Sequence, residues 1–212
     1  MRIPTLLAVL VAAALTATGC TGETPGNANP TSTPTSTSGS TGTAGGGDTT
    51  EHGAPKVKTP LDFAKSQAAP CSLLTAAQLQ ALGMATATSK DGTSDAGANC
   101  AWNDTDGASG QRVGFTFVPG QGGLDFLYQS KANYGLFEPQ PPLQGHPTLL
   151  IGSSDERANG ACGLAIGITD KQHILVTVKM RTGAKPAPRF AESCVVAKEA
   201  ADLALTSIKG GS

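Results

Sequence analysis

The sequence predicts an α+β domain: an antiparallel sheet of four to six strands, helices packed on one face of it, and two disulfides. Three observations carry that expectation. Short segments alternate large apolar residues with small or polar ones, as in Val113, Phe115 and Phe117 or Cys162, Leu164, Ile166 and Ile168, the two-residue period of a sheet with one buried face. Near the carboxy terminus Phe190, Cys194, Ala197, Ala201, Leu205 and Ile208 recur at steps of three and four, the period of an amphipathic helix. Cys71, Cys100, Cys162 and Cys194 form an even set in the part of the chain that carries these periods, which suits a disulfide framework.

Composition narrows the classes. The chain has 212 residues, 15% of them charged, and a formal charge of −1; an average soluble domain is about 25% charged. No Lys/Arg cluster is present to neutralise phosphates, so nucleic acid is not an expected partner. The length allows one folded domain with attachments.

The attachments come first. Met1-Arg2-Ile3 is followed by an apolar run over residues 6–15, too short to span a hydrocarbon core of about 30 Å and suited to a signal-peptide core over residues 1–19. Ala17-Thr18-Gly19-Cys20 resembles the lipobox of bacterial lipoproteins, which implies cleavage before Cys20 and lipid on its sulfur. Two or three acyl chains hold a protein stably on a bilayer, so the expected place is the extracytoplasmic face of the cell membrane. Residues 20–55 follow as a spacer: of the 35 residues after Cys20, 26 are Thr, Ser, Gly or Pro and none is a large apolar residue. Such a segment has nothing to bury and reaches about 30–35 Å as a flexible coil. His52 falls inside it.

Residues 56–212 then make the single domain, with 14 Lys+Arg against 13 Asp+Glu and hence no long-range field. Thr75-Ala-Ala-Gln78 reads as a capping box opening a short helix that stops at Gly83. Strands are expected around Cys100 and Trp102, Val113 to Phe117, Cys162 to Ile168, and Ile174 to Val178, with hairpin turns at residues 104–110 and 169–172. Their other face carries Ala101, Asn103, Arg112, Gly114, Thr116, Gly163, Ala165, Gly167, His173, Thr177 and Lys179, small or polar throughout. A helix is expected over about 123–133 and a long one over about 188–209. Three cysteine pairings are possible; Cys71–Cys100 and Cys162–Cys194 are favoured, because each closes a loop of about thirty residues, worth roughly 3–4 kcal/mol in the chain-entropy model. The second would pin the last helix to the sheet. No Cys-x-x-Cys occurs, so the cysteines suit neither a metal nor a redox centre.

Pro70-Cys71-Ser-Leu-Leu-Thr75, Cys100-Ala-Trp102, Gly145-His-Pro147, the Cys162 strand and the Cys194 helix together resemble a family of actinobacterial lipoproteins catalogued as domain of unknown function 3558. The resemblance covers roughly residues 68–208 with the lipobox and spacer. It implies location and architecture and carries no mechanism.

Chemistry is sparse. His146 in Gly-His-Pro and His173 at a strand start suit structural or solvated roles better than ligand contact, and no Gly-x-Ser-x-Gly elbow accompanies them. Ser153 and Ser154 sit in a turn, Asp104/Asp106 and Asp155/Glu156 suit turn chemistry better than calcium, and Trp102 suits the core. No cofactor and no metal is expected. The least ordinary stretch is residues 134–147, a long proline-rich connection with Leu136, Phe137 and Leu143; long ordered loops are often functional, although these residues would equally cap one end of the core. The candidate ligand surface is therefore Leu136, Phe137, Leu143, His146 and His173. The expected function is a non-catalytic, monomeric binding module for an envelope protein or glycan. A carrier of a lipid or other apolar molecule, held between sheet and helices, is the alternative, and a cell-wall hydrolase a more distant one.

Overall fold

The computed structural model describes residues 48–210. The signal peptide, Cys20 and most of the spacer lie outside them. The described chain runs α1 (Ala64–Ala68), α2 (Ala76–Ala81), β1 (Thr88–Ser94), β2 (Gly97–Asn103), β3 (Gln111–Val118), α3 (Gly123–Gln129), β4 (Leu136–Leu143), β5 (His146–Gly152), β6 (Ala161–Thr169), β7 (Gln172–Met180) and α4 (Ser193–Gly210). All seven strands join one sheet in the order β1-β2-β3-β7-β6-β5-β4, every neighbouring pair antiparallel.

Seven strands exceed the expected four to six, and the three that lie outside the segments expected as strands each lack the alternating period for a reason of their own. β1 reads Thr-Ser-Lys-Asp-Gly-Thr-Ser and is exposed along its whole length; it has no apolar period because it buries no face. β4 is the proline-rich stretch expected to be a loop, and it pairs with β5 through Leu136↔Gly152 to Gln140↔Thr148. Pro139, Pro141 and Pro142 are tolerated there because β4 is an edge, where a missing N–H costs no ladder bond on the open side. β5 is buried on both faces and so shows a continuous apolar run in place of alternation.

One face of the sheet packs on α4. Val196, Ala197, Ala200, Ala201, Ala204 and Leu205 are fully buried against Leu164, Ile166, Ile168, Ile174, Val176 and Val178; the alanines let the helix lie close to the sheet. Trp102 meets Phe115 edge to face at 5.7 Å between ring centroids. The expected capping box is present: Thr75 Oγ1 accepts from the Gln78 N–H at 3.3 Å, and Gln78 Oε1 accepts from the Thr75 N–H at 2.8 Å. Gln78 also reaches the Leu203 carbonyl at 3.1 Å, tying α2 to α4. Both favoured disulfides, Cys71–Cys100 and Cys162–Cys194, are formed; the second joins β6 to the first turn of α4.

The opposite face is not bare, which corrects the one-sided expectation for the helices. Leu124 and Leu127 of α3 bury Leu149, Ile151 and Ala165 there, together with Ala54. Residues 48–57, most of them read as spacer, form a strap over this layer. Asp125 accepts hydrogen bonds from Thr50 Oγ1 and from the His52 N–H, and its other oxygen lies 2.7 Å from His52 Nδ1. The Val57 N–H donates to Asp170 Oδ1 at 2.8 Å. Gly167 makes room for both elements: a Cβ there would meet Val57 Cγ2 at 3.1 Å and Leu124 Cδ1 at 3.2 Å.

β5 leaves the ladder to β6 after Leu150↔Leu164, and its Ile151 carbonyl passes over Gly163, 2.3 Å from where a Cβ would stand. Backbone gives way poorly, so Gly163→Ala should lower stability by about 1–3 kcal/mol. Urea unfolding should report it as a lower midpoint with an unchanged slope; an unchanged midpoint would mean that β5 does not cross so closely.

Candidate functional site

Where β5 rises off the sheet it raises one wall of a trough of about 510 Å³ on the face opposite α4. The floor consists of alternate residues of the central strands: Ala161 and Gly163 from β6, and Leu175 and Thr177 from β7. Ile151 and the turn through Ser153, Ser154 and Glu156 form the first wall; Leu127 of α3 and Tyr134 form the second. The turn is braced by hydrogen bonds from Ser154 Oγ and Asn159 Nδ2 to the Glu156 carboxylate, at 2.8 Å and 2.6 Å. Beside it Arg157 binds Asp155 and reaches Glu138 of β4 with both terminal nitrogens.

The trough is polar at its two ends. At one, Arg112 of β3 stands opposite Lys179 of β7 in the register, so both side chains project from the same face as close neighbours. Arg112 has no side-chain hydrogen bond or ion pair among the described residues. Lys179 acts on the Glu156 carboxylate, which its bonds to Asn159 and Ser154 chiefly hold below the ordinary value. At the other end lies His173, only 4% exposed, with Nδ1 buried and unpartnered among the described residues. Burial pushes its pKa down to about 4, against a smaller opposing influence of the Gly123 backbone. The imidazole is neutral at pH 7 and offers a lone pair rather than a charge.

The candidate ligand residues scatter. His173 and Leu136 line the trough. Phe137 packs edge to face with Tyr128 at 5.0 Å and belongs to the layer under α3. Leu143 packs on the α4 side. His146 is 1% exposed; its Nδ1 donates to the Gly167 carbonyl at 3.0 Å, and burial foremost holds its pKa below the usual histidine value. His173, read as solvated, is buried because α3 closes over its end of β7. Arg112 and Lys179 were visible as members of the polar face, but their juxtaposition depends on register.

Neither buried histidine bonds to a hydroxyl or carboxylate among the described residues, so the trough holds no assembled nucleophile and base. Asp104 is equally occupied: burial pushes its carboxyl up, but hydrogen bonds from Ser109 and Thr86, with the charge of Arg181, outweigh this and hold it low. Cys71, Asp91 and Cys100 lie together, yet the sulfurs are bonded to each other and Asp91 accepts from the Cys71 N–H at 2.8 Å, which leaves no thiolate for a metal. A smaller hollow of about 240 Å³ adjoins Gln111, whose Nε2 donates to the Leu82 carbonyl at 2.6 Å while Oε1 is unpartnered among the described residues.

The chain belongs to the family described as protein of unknown function DUF3558, whose model matches residues 15–207. No curated protein and no solved structure matches it.

The histidines set an acid limit. His173 has a folded pKa of about 4 against 6.5 for the free side chain, so the unfolded chain binds the extra proton between those values and stability falls as pH drops from about 6.5 to 4. The loss assignable to His173 is up to roughly 3 kcal/mol. Urea denaturation at pH 7 and pH 4 should show a smaller loss in His173→Gln than in the wild type, the remainder including the share of His146, whose pKa is lowered by burial as well; an equal loss in the variant would show that the ring is not buried neutral. The low Asp104 and Asp125 carboxyls act in a separate window, below about pH 3.8.

Proposed function

We propose that this family member is an exported, non-catalytic binding module, held by lipid on Cys20 at the extracytoplasmic face of the cell membrane, which takes a small, largely apolar molecule into the trough. The trough carries the reading. Its volume lies within the range of small-molecule sites, and Leu127, Tyr134, Ile151 and Leu175 give it an apolar middle. Two oxidised cysteine pairs support residence in an oxidising compartment.

A carrier role for a lipid or other apolar molecule has more support than docking of an envelope protein or glycan. The apolar residues converge into a concavity and do not spread into a flat patch. Of the spaces between sheet and helices, the one under α4 is occupied by the buried side chains of the main core, and the trough lies on the other face, beside Leu127 of α3. Docking of an envelope protein or glycan on the polar end of the trough is the second reading, favoured by the exposed Arg112, Thr177 and Lys179 there.

Fractionation of the producing cells tests the anchor: the wild-type chain should sediment with membranes, and Cys20→Ala should leave them. Native mass spectrometry of protein purified from its own membranes tests the trough. A bound small molecule should be present, and Leu175→Gln should reduce its occupancy severalfold. Retention of full occupancy in that variant would move the ligand elsewhere.

A further inference from the structure

The two ends of the trough differ in chemistry, and each keeps one group without a bonded partner among the described residues, Arg112 at one and His173 Nδ1 at the other. At the first, Arg112 and Lys179 are direct cross-strand partners. Like charges in that relation repel and weaken the sheet. The sheet neighbours do not relieve them: Arg112 faces Asn103 on β2, and Lys179 faces Ala161 on β6. Glu156 is the one carboxylate lining the trough; it accepts from Ser154 and Asn159 and its charge acts on Lys179, which leaves Arg112 without a counter-charge of its own. The nearby acids Asp155 and Glu138 are engaged by Arg157. Two cations against one carboxylate leave a net positive charge at one mouth, where Arg112 is the cation with no bonded partner among the described residues.

At the second, the buried Nδ1 of His173 is unpartnered among the described residues, a state that calls for an explanation because buried polar atoms are almost always paired. A hydrogen-bond donor from a ligand would supply the missing bond. His173 and Lys179 lie six residues apart on β7, about 20 Å at strand rise. Between them Leu175, Ile151 and Leu127 present apolar surface.

We propose that the trough selects a single-chain amphiphile with an anionic group against Arg112 and Lys179, an apolar chain along Leu175, and an uncharged hydrogen-bond donor near its far end for His173. This rests on the reading of the trough as a ligand site and adds the chemical class and orientation of the ligand. Carboxylate and phosphate heads share the chemistry that the cation pair recognises.

The test uses the full chain carrying Cys20→Ser, free of its own acyl groups, and displacement of a fluorescent fatty-acid probe by palmitate, hexadecyl phosphate, hexadecanol and the ω-hydroxy analogue of palmitate. Charge-assisted bonds of ordinary strength should make at least one anion about tenfold tighter than hexadecanol, and the tighter anion identifies the head. The hydroxy acid should exceed palmitate by about threefold or more. The double variant Arg112→Gln, Lys179→Gln should abolish the first difference and keep the second; His173→Phe should do the reverse. Both should retain the wild-type far-ultraviolet spectrum.

Equal affinity for palmitate, phosphate and alcohol, unmoved by the double variant, would overturn the assignment of the head. Equal affinity for palmitate and its hydroxy analogue would overturn the assignment of the far end. If none of these probes binds while protein from its own membranes still carries a ligand lost in Leu175→Gln, the class is wrong and the trough reading stands. If that ligand is also absent, the trough reading fails with it.

Discussion

The close seating of α4 on β6 and β7 is the contact on which the rest of the domain depends. It works because one side of the helix is almost all alanine, with Val196 and Leu205 filling the ends. Small side chains bring helix and sheet backbones together and leave branched residues of the sheet to fill the interface at interior density. Cys162–Cys194 joins the same two elements covalently. With few aromatic residues in the chain, this core has no bulk to spare, and Trp102, Phe115 and Phe117 are spent on the β2–β3 side of it, away from the helix.

That arrangement also explains why a trough exists. With α4 covering one face, the other needs only partial burial, and α3 with the strap over residues 48–57 covers β5 and β6 but stops short of β3. The uncovered part is bounded by the wall that β5 makes as it leaves the ladder. Gly163 permits the wall, Gly167 permits the strap, and Asp125 fastens the strap to α3. The site is thus a remainder: it is what the second layer leaves open.

Much of this was legible in the sequence, and the failures have definite physical causes. Alternation marked β2, β3, β6 and β7, because those strands bury one face; the three-four step marked α4; Thr75 and Gln78 marked α2. Loop length and side-chain direction together favoured the correct cysteine pairs. β1 escaped because it buries nothing, β4 because proline reads as loop unless an edge position is known, and β5 because burial on both faces erases the period. The face with Gly163, Ala165 and Gly167 was taken as exposed. Small residues there mark the close approach of another layer, and their identity alone does not distinguish an open surface from a bed for a helix. The trough was not legible, since it depends on the register that sets Arg112 beside Lys179 and on the departure of β5, both of them nonlocal. His52, Asp125 and His173 found their partners, or lack of them, for the same reason.

The two flanks of the sheet end differently from its middle. A newcomer strand must exchange amide hydrogens and carbonyls with the outermost one. β4 offers three prolines in eight positions and therefore long gaps without a donor, while β1 carries Lys90, Asp91 and Gly92 in its centre, charged and flexible where a flat apolar zipper would form. Both rims are thus poor templates for growth. Copies of this domain brought to high local density meet one another without a ready route to fibrous association through either rim of the seven-stranded sheet.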